Sequence, residues 1–347
     1  MHSREPCFDL VKVAMMLWVV WGHLGLYGIV EAEPLIYMAN AKIGVNMPVF
    51  FVMSGYFAAS TFTKKGWSDI LARAGSYVWP HVTIPLVSAM LWVVVFNMDL
   101  RSALGNVHLY WFLRTLALVY LLCALIYRLV ADDKWRWFLF ALTYLAMIFC
   151  PTSFRFWWCG QVIHMYPYFV FGLMVLRRHR FHLGTRVSLC CGVVFISAVM
   201  LGGDFISTGM NFWESFPYWE SVFGDVKWFI TFFARTAVGI TGSIFVLFAA
   251  EFLVKRIPCI QRLAPMGLTS LGVYVVHEYP LILINKYAAL PPAPAWSRWI
   301  IAIGWFLACH FTVRLIQHCK VSNFFFFGDE AWMKNVLSKL SNRFYAQ

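Results

Sequence analysis

Charged residues are scarce in this sequence. They make up 13% of its 347 residues, whereas hydrophobic residues make up 61%, and this balance excludes an ordinary soluble globular domain. The 9 cysteines form neither a CxxC pair nor a Cys/His cluster with metal-ligand spacing, so we expect no bound metal. Internal repeats and low-complexity linkers are also missing. Any chemistry must therefore take place within apolar segments or in the short loops between them.

Long apolar runs dominate the chain. A helix needs about 20 apolar residues to cross a bilayer, so the runs predict an all-α integral membrane protein with a bundle of about ten transmembrane helices. Lys and Arg concentrate in alternate loops, which predicts that both termini are cytoplasmic. The first run carries charges and lacks a small-x-small cleavage pattern, so we expect it to be retained rather than cleaved as a signal peptide. The predicted spans are residues 8–30, 43–63, 81–98, 108–130, 134–150, 162–176, 186–203, 226–250, 268–286 and 296–318.

The sequence divides into a transmembrane domain, residues 1–318, and a cytoplasmic C-terminal tail, residues 319–347. The run NFFFF followed by charged residues predicts an interfacial helix in this tail. The net charge of +12 fits orientation signals and attraction to membrane lipid headgroups. Because the cations are spread over separate loops without a recognition motif, we expect no nucleic acid partner. Cys150 and Cys159 flank a predicted outer loop and are candidates for a disulfide.

Ionisable residues along the first predicted helix form a polar track. Lys12 and His23 are 11 positions apart, which is three turns plus about 20°, so they share one face. Asp9 lies one turn before Lys12 and can pair with it at i, i+3. The axial distance from Lys12 to His23 is about 16 Å, which puts the cation near the cytoplasmic mouth and the imidazole past the midplane. Alternatively, Lys12 extends to the inner headgroups and His23 bonds a neighbouring helix.

Other predicted spans also contain polar residues, and ionisable groups within a membrane usually face a cavity or one another. Ser54 and Gly55 follow Pro48 in the second span and either line a cavity or permit close helix packing. Arg114 and Arg235 lie inside the outer ends of their spans. Each of these arginines reaches the interface or pairs with an anion in the bundle.

Two adjacent ionisable residues, His277 and Glu278, fall near the middle of the ninth predicted helix. A carboxylate beside a histidine inside a membrane is typical of a functional site, whereas the isolated His310 is expected to be structural. The predicted spans place one set of polar residues in the middle or outer half of the bilayer: His23, Ser54, Arg114, Arg235, His277 and Glu278. A cationic set maps to its inner face: Lys12, Lys64, Lys65 and Arg73. This polarity suits a phosphorylated donor that arrives from the cytoplasm.

Several motifs occur along the chain in a recognisable order. FDLVKVAMMLWVVWGH contains Asp9, Lys12 and His23, and FFVMSG follows at residues 50–55. They resemble the opening motifs of the membrane acyltransferase-3 family, in which an Asp, an Arg or Lys and a His recur at this spacing before an FFxxSG signature. LYWFLRTLALVYLL, YPYFVFGLMVL and SLGVYVVHEYP are similar to later family segments, so the resemblance covers nearly the whole chain.

The chain departs from the family pattern in the cytoplasmic segment after the second helix. The family often carries an RxxR pair there, whereas Arg73 is followed three positions later by Ser76. If that pair helps to hold a nucleotide phosphate, Lys64 and Lys65 would have to substitute for the missing cation. The resemblance therefore leaves the phosphate contacts of the donor open.

The resemblance implies a membrane-bound O-acyltransferase. Such an enzyme takes an acyl group, usually acetyl, from cytoplasmic acetyl-CoA and passes it to a hydroxyl of a carbohydrate of the O-antigen, lipopolysaccharide, capsule or glucan class. It also implies a multi-pass protein of the bacterial inner (plasma) membrane. Outer-loop tryptophans would stack on sugar rings or form the interfacial aromatic belt: Trp157, Trp158, Trp213 and Trp219.

Acyl transfer to a hydroxyl needs a base and a hydrogen-bond donor for the developing oxyanion. His23 is the expected base or acyl carrier, because an imidazole can be neutral near physiological pH, and Lys12 and Asp9 complete the expected catalytic set. The alternative is a transporter or flippase that uses the same residues as a proton relay, although no inverted repeat supports it. Expected donor-binding residues are Lys12, Lys64, Lys65, Arg73, Ser54 and Gly55, and expected substrate or oxyanion residues are Trp111, Arg114, Arg235, His277 and Glu278.

Overall fold

The computed structural model describes residues 5–31, 36–97, 99, 101, 111–148, 159–179, 183–201, 226–287, 291–328, 330–331 and 333–335, and over this part of the chain it is built from helices. The prediction of an all-α protein is therefore confirmed for the described residues. The helices are α1 Pro6–Leu26, α2 Ile36–Lys64, α3 Trp67–Phe96, α4 Trp111–Leu129, α5 Asp133–Ile148, α6 Cys159–Phe171, α7 Thr185–Leu201, α8 Val226–Arg256, α9 Pro258–Gln261, α10 Ser270–Val276, α11 Glu278–Tyr287, α12 Arg298–His318 and α13 Lys320–Phe327.

Six segments of the described chain are long and apolar enough to cross a membrane, namely Pro6–Leu26, Gly44–Lys64, Trp67–Val94, Trp111–Leu129, Phe233–Arg256 and Ala295–His318. Another span is formed if Pro258–Val276 and Glu278–Tyr287, which meet at a bend of 40°, are taken together. The apolar helices Gly160–Leu176 and Thr185–Met200 are shorter. An integral membrane protein is thus supported, while the count of about ten spans and the cytoplasmic termini stay predictions.

The chain forms two compact units. The first comprises Met1–Tyr56 and Met147–Val313, and the second comprises Phe57–Ala146 and Arg314–Gln347. In the first unit, α1 packs against α8, α10 and the 3₁₀ turn Ala264–Thr269. Gly267 of that turn lies so close to the backbone of Asp9 that a Cβ atom would overlap it. Because such an approach requires glycine, this turn fixes the beginning of α1.

The ends of α1 follow from its sequence. Pro6 stands at the start of the helix, where its missing N–H costs no hydrogen bond. Beyond Leu26, the chain turns through Gly28, whose φ of 64° is the left-handed conformation that favours glycine. Val30 then forms an isolated parallel bridge with Ala293. This bridge ties the end of α1 to the segment that precedes α12.

A proline breaks the segment that bears His277. Pro280 has no N–H to offer to the carbonyl of Val276, and its ring would clash with that carbonyl in a continuous helix. The structure accordingly ends α10 at Val276 and begins α11 at Glu278. His277 therefore lies at the bend, where its own N–H still bonds the carbonyl of Val273 at 3.0 Å but the carbonyl of Val276 finds no N–H on Pro280.

Two glycines bring α2 and α6 together in the first unit. A Cβ atom at Gly55 would overlap the carbonyl oxygen of Phe169 and lie 3.0 Å from the nitrogen of Leu173. Gly172 begins the π-helical turn Gly172–Leu176 that continues α6, and a Cβ atom there would overlap the carbonyl oxygen of Val52. Close backbone contact between small residues is a common basis of helix association in membranes, and here it is reciprocal.

The second unit has an aromatic core. Phe62, in the last turn of α2, lies with its ring 4.9 Å from the ring of Tyr120 on α4. Tyr77 of α3 contacts the same ring edge-on at 6.0 Å. α13 packs against α3, where Phe324 and Trp79 have ring centroids 5.0 Å apart. The C-terminal segment is therefore part of this unit.

Candidate functional site

The two histidines predicted in different helices form a direct contact. His23, three residues before the end of α1, has its Nδ1 atom 2.7 Å from Nε2 of His277. Their rings are nearly parallel, with an interplanar angle of 11° and centroids 4.9 Å apart. A hydrogen bond lying in the plane of both rings gives this arrangement. His277 is fully buried, at 0% exposure, whereas His23 is half-buried.

The backbone fixes which nitrogen of each ring carries the proton. Nδ1 of His277 lies 3.0 Å from the carbonyl oxygen of Val273 and 2.9 Å from that of Tyr274. A carbonyl only accepts, so Nδ1 of His277 carries the hydrogen and Nε2 is its acceptor in the neutral ring. His23 must then donate from Nδ1, which leaves the lone pair of His23 on Nε2. His23 is thereby prepared to take a proton, or an acyl group, at Nε2.

A second polar pair lies beside the histidines. The hydroxyl of Tyr27 donates a short hydrogen bond to the Oε1 atom of Glu278, and the ring of Tyr27 meets that of His23 edge-on at 5.8 Å. Tyr27 lies just beyond the end of α1, and its burial and the nearby Glu278 carboxylate raise the pKa of its phenol well above the ordinary value. Tyr27 therefore stays protonated and acts as a donor.

Residues of α12 hold both histidine-bearing segments in place. Arg298 is 5% exposed, and its Nε atom donates to the carbonyl oxygen of Trp21 at 3.0 Å. The guanidinium also lies 4.1 Å from the centroid of the Trp21 ring, a cation–π geometry. The indole N–H of Trp305 donates to the carbonyl oxygen of His277 at 3.2 Å. α12 thus fixes α1 near His23 and the bend at His277.

The expected pair at the other end of α1 is formed. Lys12 donates from Nζ to Oδ1 of Asp9 at 2.9 Å. The side chain of Asp9 is 6% exposed and that of Lys12 is 26% exposed. The acid is therefore nearly buried, while the lysine remains partly accessible. Because α1 runs unbroken from Pro6–Leu26, Lys12 and His23 stand about 16 Å apart along it. The polar track predicted from spacing therefore exists on one continuous helix.

A comparison with known protein families gives a match that includes α1 and its motif. The Acyl_transf_3 family, described as an acyltransferase domain, matches residues 5–315 of the chain. The chain belongs to this acyltransferase family. No curated protein and no solved structure matches it. Family membership, together with the apolar helices, supports a membrane acyltransferase in which both histidines lie within the matched region.

Other expected site residues of the acyltransferase lie in the first unit. Gly55 is used for the close contact between α2 and α6, which is the packing alternative stated above, and the neighbouring Ser54 is half-buried. The backbone oxygen of Arg235, on α8, accepts a hydrogen bond from the hydroxyl of Tyr168 at 3.2 Å. His310 bonds the hydroxyl of Thr269 at 2.7 Å through Nδ1, in keeping with a structural role. Roles for Ser54, Gly55 and Arg235 in the reaction stay predictions.

The remaining expected residues of the acyltransferase lie in the second unit. Arg73, on α3, donates from Nη1 to Glu330 at 2.8 Å and from Nε to the hydroxyl of Tyr77 at 3.0 Å. Lys64 and Lys65 are exposed at the end of α2, and the carbonyl oxygen of Lys65 accepts a hydrogen bond from Arg128 at 2.8 Å. Trp111 and Arg114 are half-buried in the first turn of α4. Their roles in donor or substrate binding stay predictions.

Some expectations fall outside the described residues. These are the disulfide between Cys150 and Cys159, for which neither side chain is described, and sugar stacking by Trp157, Trp158, Trp213 and Trp219. Within the described part of the chain, no group of three or more His, Cys, Asp and Glu side chains could hold a metal ion.

Sequence reasoning missed three residues around the histidines: Tyr27, Arg298 and Trp305. Each acts on a partner more than 25 positions away, such as Trp21 for Arg298 and His277 for Trp305. No periodic pattern in one sequence encodes such contacts. The one available signal was Pro280, which predicts a break next to His277.

Proposed function

We propose that this membrane acyltransferase transfers an acyl group, with acetyl the simplest case, from acyl-CoA to a hydroxyl of a cell-surface or lipid-linked carbohydrate. The proposal rests chiefly on the hydrogen-bonded pair of His23 and His277, which leaves Nε2 of His23 as a basic nitrogen on the family's first motif. Asp9 and Lys12 support it from the other end of the same helix.

In the proposed reaction, Nε2 of His23 takes the proton of the acceptor hydroxyl as its oxygen attacks the thioester carbonyl. The new C–O bond forms and the C–S bond breaks, and the departing thiolate of CoA takes the proton back from the imidazolium. Hydrogen bonding of His23 to His277 stabilises that imidazolium, because the Nδ1 donor is already paired. Atoms and charges balance without a further reactant.

A transient acyl-histidine would use the same nitrogen. Nε2 of His23 would attack the thioester, release CoA thiolate and pass the acyl group to the hydroxyl in a second step. Both routes need His23 neutral and its Nδ1–H directed at His277. Hydroxylamine distinguishes them, since it cleaves an acyl-imidazole and releases protein-bound label only in the second route.

Lys12 is proposed to bind the phosphates of the donor. It keeps a partly exposed ammonium and stands about 16 Å along α1 from His23, so it does not contact the reacting atoms. In CoA, the long pantetheine arm likewise separates the phosphates from the thioester, so the phosphates can lie at Lys12 while the thioester lies at His23. We propose that the donor binds at the cytoplasmic face of a bacterial inner membrane and that both termini lie on that side. The acceptor, a carbohydrate of the O-antigen, capsule or glucan class, would bind on the opposite side.

The first prediction concerns activity itself. Membranes that contain the protein are expected to move radiolabel from [acetyl-¹⁴C]acetyl-CoA into a glycan fraction, whereas matched membranes without it do not. Mild alkali should release the label as acetate, because an O-ester is formed. If instead no donor is consumed and a solute or proton flux appears in proteoliposomes, the transporter alternative is correct and this proposal is not.

The second prediction concerns His277 as a positioning residue. His277→Gln keeps an acceptor near the position of Nε2, so we expect kcat to stay within about tenfold of wild type, whereas His277→Leu removes it and lowers kcat by about 10- to 100-fold. KM for the acyl donor should change little, because His277 does not contact the donor's phosphates. Steady-state kinetics in membranes provide both constants. Equal loss in both variants would show that an acceptor at the position of Nε2 is not what His277 supplies, which contradicts the positioning role.

A further inference from the structure

Helices α7 and α8 of the first unit separate at one end and leave a groove between them. They touch closely where a Cβ atom at Gly192 would overlap the ring of Phe245, and again where a Cβ atom at Gly242 would lie 2.7 Å from the ring of Phe195. These contacts make the helices antiparallel. Toward the beginning of α7 and the end of α8, the groove encloses about 780 Å³. This volume is in the range of cavities that bind small molecules.

The two ends of the α7–α8 groove differ in chemistry. Its closed end is lined by apolar side chains of α8: Ile244, Leu247 and Phe248. Its open end is lined by charged side chains from the last turns of the same helix: Glu251, Lys255 and Arg256. The distance along α8 from the first of these residues to the last is about 18 Å. The groove therefore matches a ligand that has a hydrocarbon tail and a charged head.

The α7–α8 groove opens sideways onto a surface that fits contact with lipid. Leu189 lies at its rim and is 51% exposed. Other apolar residues of α7 are also well exposed: Val187, Val193, Val194, Ile196 and Met200. Exposed apolar surface of this extent marks a site of contact with a membrane or a partner. In a bilayer, a hydrocarbon chain can therefore enter the groove from the side.

Arg256 is the group at the open end that best suits a phosphate. Its guanidinium carbon lies 5.3 Å from the centroid of the Phe252 ring, which also lines the groove, so the cation stands at the rim beside apolar surface. Lys255 donates to the Glu251 carboxylate and is also close enough to Glu5 to interact with its charge. The charge of Lys255 is thus partly neutralised, whereas Arg256 presents a planar fork that binds phosphate oxygens.

The beginning of α7 adds positive charge at the same end. Thr185 is the first residue of α7 and lines the groove, and the first N–H groups of a helix carry partial positive charge. The next residue is the exposed Arg186. Arg186 and Arg256 belong to the cations whose distribution predicts the cytoplasmic side, and the cytoplasmic leaflet contains anionic lipids. The charge at the open end is therefore complementary to an anionic headgroup.

We propose that the α7–α8 groove binds one anionic phospholipid, with an acyl chain beside Leu247 and the phosphate at Arg256. The apolar closed end holds the chain, the lateral opening admits it from the bilayer, and the cationic end favours a headgroup with net negative charge over a zwitterionic one. Because the lipid contacts both helices, it supports the packing of the first unit. The site is independent of the proposed function, since neither an acyl donor nor an acceptor takes part.

The headgroup is tested by binding of phosphatidylglycerol and phosphatidylcholine, with identical acyl chains, to the detergent-solubilised full-length protein. Native mass spectrometry gives Kd for each lipid. Wild type should bind phosphatidylglycerol at least about fivefold more tightly, the factor for one cation near an anionic headgroup. Arg256→Gln should raise Kd for phosphatidylglycerol by about fivefold and leave that for phosphatidylcholine unchanged. Arg262→Gln replaces an exposed cation outside the groove lining; it is the matched control and should change neither value.

The acyl chain is tested by Leu189→Trp. A larger side chain at the rim should narrow the α7–α8 groove and raise Kd for both lipids by about tenfold, the factor for two methylene groups kept out of it. Val193→Trp is the matched control, because Val193 lies one turn farther along α7, is 65% exposed and stands outside the groove lining. This variant should bind both lipids as wild type does. Equal size-exclusion profiles show that the two variants are folded alike.

Four results would overturn the proposal. Equal affinity of wild type for the two lipids, or equal effects of Arg256→Gln and Arg262→Gln, would mean that only diffuse surface charge acts. Unchanged binding in Leu189→Trp would place the lipid outside the groove. Tighter binding of a polyprenyl phosphate than of phosphatidylglycerol would assign the groove to a lipid-linked substrate instead.

Cross-linking gives an independent map of the site. A phosphatidylglycerol with a diazirine on its acyl chain should label residues 184–189 and 244–256 in the wild-type protein, and labelling of these residues should fall in Leu189→Trp but not in Val193→Trp. Peptide mass spectrometry locates the adducts. Equal labelling of all lipid-facing helices would contradict a defined site.

Discussion

Replacing His23 with alanine is expected to lower kcat for acyl transfer by about 10²- to 10⁴-fold, the range over which a positioned general base acts. When both rings are neutral, the contact with His277 puts the proton of His23 on Nδ1 and the lone pair on Nε2. KM for acyl-CoA should stay within a few fold, because the donor's phosphates bind elsewhere. Initial rates with labelled acetyl-CoA give both constants.

His318→Ala is the matched control for this prediction. His318 is an exposed histidine in the last turn of α12, so its removal should leave the rate unchanged. His23→Gln should be as inactive as His23→Ala, because an amide does not take up a proton. Wild-type turnover in either His23 variant would refute the proposed role of His23, provided that size-exclusion profiles show equal amounts of folded protein.

Replacing Gly55 with valine is expected to destabilise the protein by about 3 kcal/mol or more, the upper range for overpacking a closely packed contact. The new Cβ would overlap the carbonyl oxygen of Phe169. That atom belongs to the backbone of α6, so no side-chain rotation can relieve the clash, and α2 and α6 must separate. Thermal unfolding in detergent, followed by size-exclusion chromatography, should show a clear fall in Tm and in folded yield.

Gly304 offers the corresponding control. It also lies within a helix, α12, but a Cβ atom there meets no other atom within 4 Å. Gly304→Val should therefore leave Tm unchanged or raise it slightly, since glycine is a poor helix former. If Gly55→Val folds like Gly304→Val and only raises KM for acyl-CoA, then Gly55 lines the donor cavity, as the sequence motif suggested, rather than joining the two helices.

Local features of the fold were predictable because local physics determines them. The polar track of α1 depends on helical periodicity, and its pair Asp9 and Lys12 formed as the spacing predicts. The prediction of one continuous span over residues 268–286 missed the break before Glu278, although Pro280, four positions after Val276, is a local signal for it. The sequence left open whether Ser54 and Gly55 line a cavity or pack helices together, because both uses favour the same small residues.

By itself, the sequence determined a helical membrane protein of the acyltransferase family and placed Asp9, Lys12 and His23 along one helix. Composition and helical periodicity can be read from the sequence without knowing how the helices pack, so they are sufficient to predict these features. Only the tertiary structure decided that His23 meets His277 and that Glu330 pairs with Arg73. Those partners are 254 and 257 positions apart. Their meeting depends on how helices pack, at glycine contacts and at a bent helix, and no local pattern specifies that.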